Sequence, residues 1–264
     1  MHVYPVNRLP AGRPTNEPAV TGTQSVYRAL SILQAFSGRR PTLTGAEVAA
    51  RFGYSVPTAH RLLRALEAEG FLVFDRRRRA YRPGPEILRL SGVMLQQDAV
   101  VARTRASQQR LRALTGETVA LFWRLGNQAT CVQETPGPSA TRVQVGVGAE
   151  FPLSRGAAGK ALLLSLDERR VRELLTEPDV PAPRHGVEAL LADLAIGRER
   201  GYVVSEGETI EGVVSVAAPL AWIHGGLAAY SVIAPAARFG ARERDATAAA
   251  LLAEMARLRA VLGM

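Results

Sequence analysis

A chain of 264 residues, 47% of them hydrophobic, can fold two modest domains with a core in each, and its single cysteine, Cys131, excludes an intrachain disulfide or a thiolate metal cluster. No apolar run approaches the roughly 20 residues that span a bilayer, and the N-terminus lacks the charged-then-apolar layout of a secretion signal; the expectation is a cytoplasmic protein with no membrane partner. Of the formal net charge of +9, the segment Gln24 to Gly92 carries +7, with 12 Lys/Arg against 5 Asp/Glu, the footprint of a domain that sits on phosphates.

Residues 1–23 carry Pro5, Pro10, Pro14 and Pro18 among Gly, Thr and Asn, and are expected to be a disordered N-terminal arm. From Ser25, SVYRALSILQAF places Val26, Leu30 and Leu33, and less strictly Ala29 and Phe36, on one face of an amphipathic helix that Gly38 to Pro41 ends. Thr44 and Glu47 form a capping box for a second helix, AEVAARF, and Gly53 makes the turn that follows it. Ser55 caps a third helix, with Pro57 tolerated in its first turn. Leu62, Leu63, Leu66 and Phe71 face inward there, leaving Thr58, His60, Arg61 and Arg64 toward the outer surface. Helix, tight turn, helix is the arrangement that lays a second helix in the major groove.

The stretch GFLVFDRRRRAYRPG then alternates Phe71, Val73 and Tyr81 around a charged tip, as a two-stranded wing would. Four consecutive arginines, Arg76, Arg77, Arg78 and Arg79, repel one another on a free surface; a phosphate backbone relieves that repulsion and makes binding salt-dependent. Residues 24–84 thus read as a winged helix-turn-helix domain. The candidate DNA-contacting set is Thr44, Ser55, Pro57, Thr58, His60, Arg61 and Arg64, with Arg61, Arg64 and Thr58 assigned to the groove and Arg76 to Arg79 to the backbone.

After Pro85 the sequence reads as one or two helices, a linker over 85–100. From Glu117 the pattern changes. TVALFWRL, ATCVQET and TRVQVGV are short runs rich in β-branched and aromatic residues, expected to be strands of an antiparallel sheet. Helical patterns follow at Gly156 to Ser165, Asp167 to Leu175 and Glu188 to Arg200; two more strands are expected around Gly212 to Pro219 and Leu227 to Ile233, then a helix from Ala241 to Leu262. Strands mixed with helices in this order give residues 101–264 an α+β fold. Cys131, inside an apolar strand, reads as a buried, inert thiol.

On these residues the chain resembles the isocitrate-lyase-regulator (IclR) family of bacterial transcription factors, over roughly Ser25 to Met264. In the first domain the resemblance rests on SVYRALSILQAF, on LTGAEVAARFGYSVPTAHRLLRALEAEGFL, and on Tyr81, Arg82 and Gly84. In the second it rests on FPLSRGAAGKALL and on GYVVSEGETIEGVVSVAAPL, with Gly201, Ser205, Glu208 and Ser215-Val216-Ala217 at the spacing of the family signature. Ala221 and Trp222 replace the signature's usual aromatic and acidic ending, and Pro83 the common leucine. The resemblance implies a dimerising winged-helix domain, a GAF-like α+β domain that binds a small organic effector, and a homodimer or homotetramer.

Gly156, Ala157, Ala158 and Gly159 open a helix with small side chains, where a ligand can approach backbone amides and the helix dipole favours a carboxylate. The family's motifs match Ala157, Ala158, Ser205 and Ser215 to places that line the effector pocket; Arg155, which either pairs with a carboxylate or points to solvent, and Ala217 complete the candidate effector-binding set. Trp123 and Trp222 either flank an apolar ligand or sit in the core.

No cofactor is expected. Gly156-Ala-Ala-Gly159-Lys160-Ala161 is two residues short of a phosphate loop and lacks the Ser/Thr after its lysine. His2, His60, His185 and His224 have no metal-ligand spacing, and no nucleophile, base and acid announce themselves as a motif. The expectation is therefore not an enzyme but an effector-responsive regulator that binds a near-palindromic double-stranded DNA operator. Its rivals are a small-molecule-binding enzyme and an unregulated nucleic-acid-binding protein.

Overall fold

The computed structural model describes residues 22–37, 40–97, 99–177, 180–223 and 226–262. They fall into two compact units, one within Arg13–Asp98 and the other within Ala99–Met264. The arm expected over 1–23 lies outside the described residues as far as residue 21.

The first unit runs α1 (Gln24–Gln34), α2 (Gly45–Phe52), α3 (Val56–Ala68), the hairpin β1 (Leu72–Asp75) and β2 (Ala80–Pro83), then α4 (Pro85–Gln97). The capping box is formed: Glu47 donates its backbone N–H to Thr44 Oγ1 at 3.2 Å, and Glu47 Oε2 accepts from the Thr44 amide at 2.7 Å. Ser55 Oγ accepts from the Thr58 amide, and Pro57 sits in the first turn of α3, so both helices of the motif start where the sequence places them. Ile32, Val48, Phe52, Leu62, Leu63, Leu66, Leu72 and Tyr81 form the core. Leu43 and Tyr81 exchange backbone hydrogen bonds at 2.9 and 2.8 Å, an isolated antiparallel bridge that ties the chain just ahead of α2 to β2.

Two expected faces are corrected. On α1, Ala29, Leu33 and Phe36 pack on the core, but Val26 and Leu30 are 59% and 52% exposed, and the buried positions are Ser31, Ile32 and Ala35. The helix carries two apolar faces, and periodicity alone does not say which one this unit buries. In the wing, Leu72 is buried and Phe74 shares its face, with its ring 4.9 Å from that of Tyr81; Val73 has the opposite parity. A continuous apolar run such as FLVF leaves that parity open. The glycine of Tyr-Arg-x-Gly has a steric cause: a Cβ on Gly84 would lie 2.2 Å from the Gly70 carbonyl oxygen, where the wing closes onto the end of α3.

The second unit begins with α5 (Ala99–Thr115). One antiparallel sheet follows, built from β3 (Thr118–Leu125), β4 (Gln128–Thr135), β5 (Glu150–Pro152), β6 (Val203–Glu206), β7 (Val213–Ile223) and β8 (Gly226–Pro235). Its order is β5-β4-β3-β8-β7-β6. Helices α6 (Gly156–Leu164), α7 (Glu168–Leu175) and α8 (Val187–Arg200) follow β5, and α9 (Ala241–Leu262) ends the chain. Strand side chains alternate between the two faces, except where a bulge shifts the register. Ala120, Phe122, Ala217, Ala229 and Ile233 join one core with α6, α7 and α8; Val119, Leu121, Val214, Val216, Tyr230 and Val232 join a second core with α5 and α9.

The strand expected in TRVQVGV does not form. Residues 141–147 are irregular, their amides at Val145 and Gly146 donating to the Glu134 carboxylate at 2.6 and 3.0 Å while Thr118 Oγ1 donates to the Val143 carbonyl at 2.6 Å. Side chains thus take the place of a ladder, and the edge of β4 pairs instead with the short β5, which the sequence pattern does not announce. Likewise β6 is a short edge strand. Among the described residues no helix is long and apolar enough to cross a membrane.

Candidate functional site

In the first unit, α3 turns Pro57, His60, Arg61 and Arg64 outward. Arg64 Nη1 donates to Glu67 Oε2 at 3.2 Å, a bond on an exposed surface that yields readily to a stronger partner. The His60 ring lies over the start of α2, where a Cβ on Gly45 would meet it at 2.9 Å. Thr44 and Ser55 are occupied as caps, and the Thr58 hydroxyl accepts from Ser55 Oγ at 2.9 Å. In the wing, Arg76 to Arg79 are all exposed. Their turn is organised by Asp75, whose Oδ1 accepts from the amides of Arg77 and Arg78 at 2.9 and 3.1 Å, and it closes with Arg79 at φ +52°. Asp75 was not legible as a participant from the sequence; an Asp two residues ahead of the amide it bonds is the available signal.

In the second unit, α6 begins directly after β5 and leans on it so closely that a Cβ on Gly159 would lie 2.4 Å from the Pro152 carbonyl oxygen. Beside the first turn of α6 opens a pocket continuous with solvent. Phe122, Val145, Phe151, Val213 and Ile233 give it apolar walls, and Phe122 and Phe151 meet edge to face at 6.0 Å. Its polar groups are Arg155, Thr209, Ser215, Ser231 and the first-turn backbone of α6, whose leading amides have no intrahelical acceptor. Ser231 is 1% exposed, and its Oγ has no hydrogen-bond partner among the described residues. An unsatisfied buried hydroxyl costs about 1 to 3 kcal/mol unless a ligand or water completes it.

Of the residues expected to bind an effector, Arg155, Gly156, Ala157, Ala158, Gly159 and Ser215 line this pocket. Ser205 and Ala217 do not. Ser205 is buried on the edge strand β6, paired in register with Ser215, and Ala217 lies one step further along β7 in the core. Arg155 donates from Nε and Nη2 to the Ala182 carbonyl at 3.0 and 2.7 Å, so its guanidinium is tied to the neighbouring loop. Trp123 packs half-buried on the second core, with its indole N–H unpartnered among the described residues; the side chain of Trp222 lies outside what is described.

Sequence reasoning missed Ser231, Phe122 and Phe151, which reach the pocket only through strand pairing, and it missed the role of Glu208. Glu208 Oε2 accepts the Gly156 amide at 3.0 Å, and its Oε1 pairs with Lys160 Nζ at 2.5 Å; Lys160 also donates to Asp193 at 2.6 Å. Burial opposes the ammonium of Lys160, but the bonds to Asp193 and Glu208 more than offset it and hold its pKa above the ordinary value. Cys131 is buried, and burial pushes its thiol up to about 12, far from a reactive thiolate. Among the described residues no group of three His, Cys, Asp or Glu is placed to hold a metal.

Known proteins carry both halves of this arrangement. The family described as IclR helix-turn-helix domain matches residues 25–76, and that described as bacterial transcriptional regulator IclR C-terminal matches residues 93–258. The chain is 33% identical over 242 residues to the HTH-type transcriptional regulator Rv1719 of Mycobacterium tuberculosis, covering 90% of this chain and 92% of that protein. It is similar in structure to an IclR transcriptional regulator of Silicibacter sp. TM1040, with a TM-score of 0.79 at 26% identity over 90% of this chain and 96% of that one. An IclR homolog of Microbacterium hydrocarbonoxydans, solved in complex with 4-hydroxybenzoate, shares the fold with a TM-score of 0.70 at 21% identity, over 89% and 99% of the two chains.

Proposed function

The chain belongs to the IclR family of bacterial transcriptional regulators, and from that premise we propose that it binds a near-palindromic operator as a dimer or tetramer and responds to a small organic metabolite. Arg61 and Arg64 read the major groove from α3, and Arg76 to Arg79 hold the phosphate backbone from the wing. Guanidinium groups suit both tasks, because they bond bidentately to guanine and to phosphate. Self-association through the first unit is supported by apolar side chains that the unit leaves uncovered: Val26 and Leu30 on α1, and Leu88, 75% exposed, with Ile87, Leu90 and Val93 on α4. A twofold axis between two such units places half-sites about one helical turn, or a multiple of it, apart.

The observation that carries the effector reading is the buried Ser231 hydroxyl, unpartnered among the described residues, in the same pocket as the first-turn amides of α6. Aromatic walls with a few hydroxyl and amide groups suit a compact aromatic or carboxylate metabolite. Residues 85–100 join this sensing domain, 101–264, to the reading domain, 24–84, and the effector alters operator affinity through them. It does so only by the difference in its own affinity for the free and the DNA-bound protein. No turnover is assigned, in keeping with relatives named as regulators.

The test is selection of bound fragments from total genomic DNA by the purified protein. A few strongly preferred, near-palindromic fragments are expected, and the pathways beside them supply effectors to assay for release. Equal affinity for unrelated duplexes overturns the regulatory reading.

A further inference from the structure

Between β6 and β7 the chain runs along the pocket as a strap, Gly207 to Gly212, whose Thr209 and Ile210 line the cavity and whose Ile210 is 40% exposed. Its base is closed by backbone bonds from Gly207 N to Val213 O at 2.8 Å and from Val213 N to Ile210 O at 3.2 Å. Its middle is tied to α6 by Glu208, through the Gly156 amide and the Lys160 ammonium. Gly156 is the first residue of α6, where unpaired amides and the helix dipole attract a carboxylate. In this structure the carboxylate that occupies the position is the protein's own. The Ser231 hydroxyl in the same pocket, unpartnered among the described residues, marks a place for a second polar guest.

Resting on the reading of this pocket as the effector site, we propose that Glu208 is a built-in stand-in for the effector's carboxylate, latching the strap without ligand and ceding the Gly156 amide when an acid enters. The two anions compete for one donor and repel each other, so they do not share it. Lys160 keeps Asp193 when Glu208 leaves, and the ammonium stays paired. Arg155, the cation that lines the pocket among the described residues, is held by Ala182, so the entering acid relies on the position Glu208 vacates. Glu208 thereby determines which ligands are accepted: an acid must displace it, whereas a neutral molecule of the same shape need not.

Benzoate and benzamide, matched in shape and different in charge, are titrated into the full-length protein and its Glu208→Gln variant. Benzoate is expected to bind the variant about tenfold more tightly than the parent, with benzamide changing less than about threefold, because only the anion loses a like charge. An equal change for both probes, or no gain for benzoate, overturns the proposal. Without any ligand, amide exchange over 207–212 is expected to be about tenfold faster in Glu208→Ala than in the parent protein. Unchanged exchange overturns the latch whatever the probes do. Faster exchange with neither probe bound by either protein overturns the carboxylate exchange and puts the fault in the effector reading rather than in the latch.

Discussion

Ser231 and Tyr230 are neighbours on β8 and face opposite layers of the sheet. The Ser231 hydroxyl lies in the pocket without a partner among the described residues, whereas the Tyr230 hydroxyl, fully buried, donates to the Thr104 carbonyl on α5 at 2.7 Å. One strand thus touches the pocket on one face and the helix layer that begins the second unit on the other.

Deleting these two hydroxyls is expected to have opposite effects on stability. Tyr230→Phe removes a satisfied buried bond, a loss of about 1 kcal/mol. Ser231→Ala removes a hydroxyl that folding buries without compensation, so the melting temperature holds or rises. Thermal unfolding of both variants without ligand is the measurement. A fall in Tm for Ser231→Ala as large as that for Tyr230→Phe would show that Ser231 is already satisfied.

At the base of the wing, Gly84 packs backbone against backbone on Gly70 and Phe71. The contacting atoms are all backbone, so no side-chain rotation relieves them. Gly84→Ala is therefore expected to cost about 1 to 3 kcal/mol by overpacking, read as a lowered urea midpoint with an unchanged slope.

Glu254 on α9 is 2% exposed and bonded to Arg110 and Ser107 of α5, at 2.8 Å for the closest Arg110 contact and 3.0 Å for Ser107. The bonds from Arg110, against the opposing effect of burial, hold its carboxyl below the ordinary value of 4.5, with Ser107 and the Arg257 charge adding to them. A depressed carboxylate contributes stability that is fully present above 4.5 and fades as the pH falls through its folded-state value. Glu254→Gln is expected to destabilise the protein at neutral pH by about 1.5 to 3 kcal/mol. The gap between the two proteins narrows as the pH drops below 4.5, and a gap independent of pH would mean that charge plays no part.

The local code was legible wherever one residue acts on its sequence neighbours. Thr44 with Glu47, Ser55 ahead of Pro57, and the small residues of Gly156 to Gly159 act within four positions of themselves, and the structure has them where the sequence put them. What stayed hidden depends on partners far along the chain. Ser231 reaches the pocket because β8 lies between β3 and β7, and Glu208 meets Gly156 across 52 residues. Residues 141–147 carry a strand's composition, yet Glu134 and Thr118 satisfy their backbone groups in another way. Val26 and Leu30 have a helix's inward periodicity with nothing in their own unit to cover them.

The wing and α3 separate two kinds of DNA recognition in a single experiment. Arg76 to Arg79 are exposed on a turn organised by Asp75; if they hold only the backbone, as proposed, replacing any one by Gln is expected to weaken all duplexes alike. Removing one arginine that neutralises a phosphate lowers the slope of log affinity against log salt by about 0.9. Arg61, exposed on α3, is expected to behave differently: Arg61→Ala costs about 1 to 3 kcal/mol on the operator and much less on unrelated DNA, with the loss confined to one base position per half-site. Fluorescence anisotropy on operator and scrambled duplexes at several salt concentrations distinguishes them. A salt slope unmoved by the wing substitutions would remove those arginines from the backbone, and a uniform loss for Arg61→Ala across sequences would reassign that side chain from a base to a phosphate.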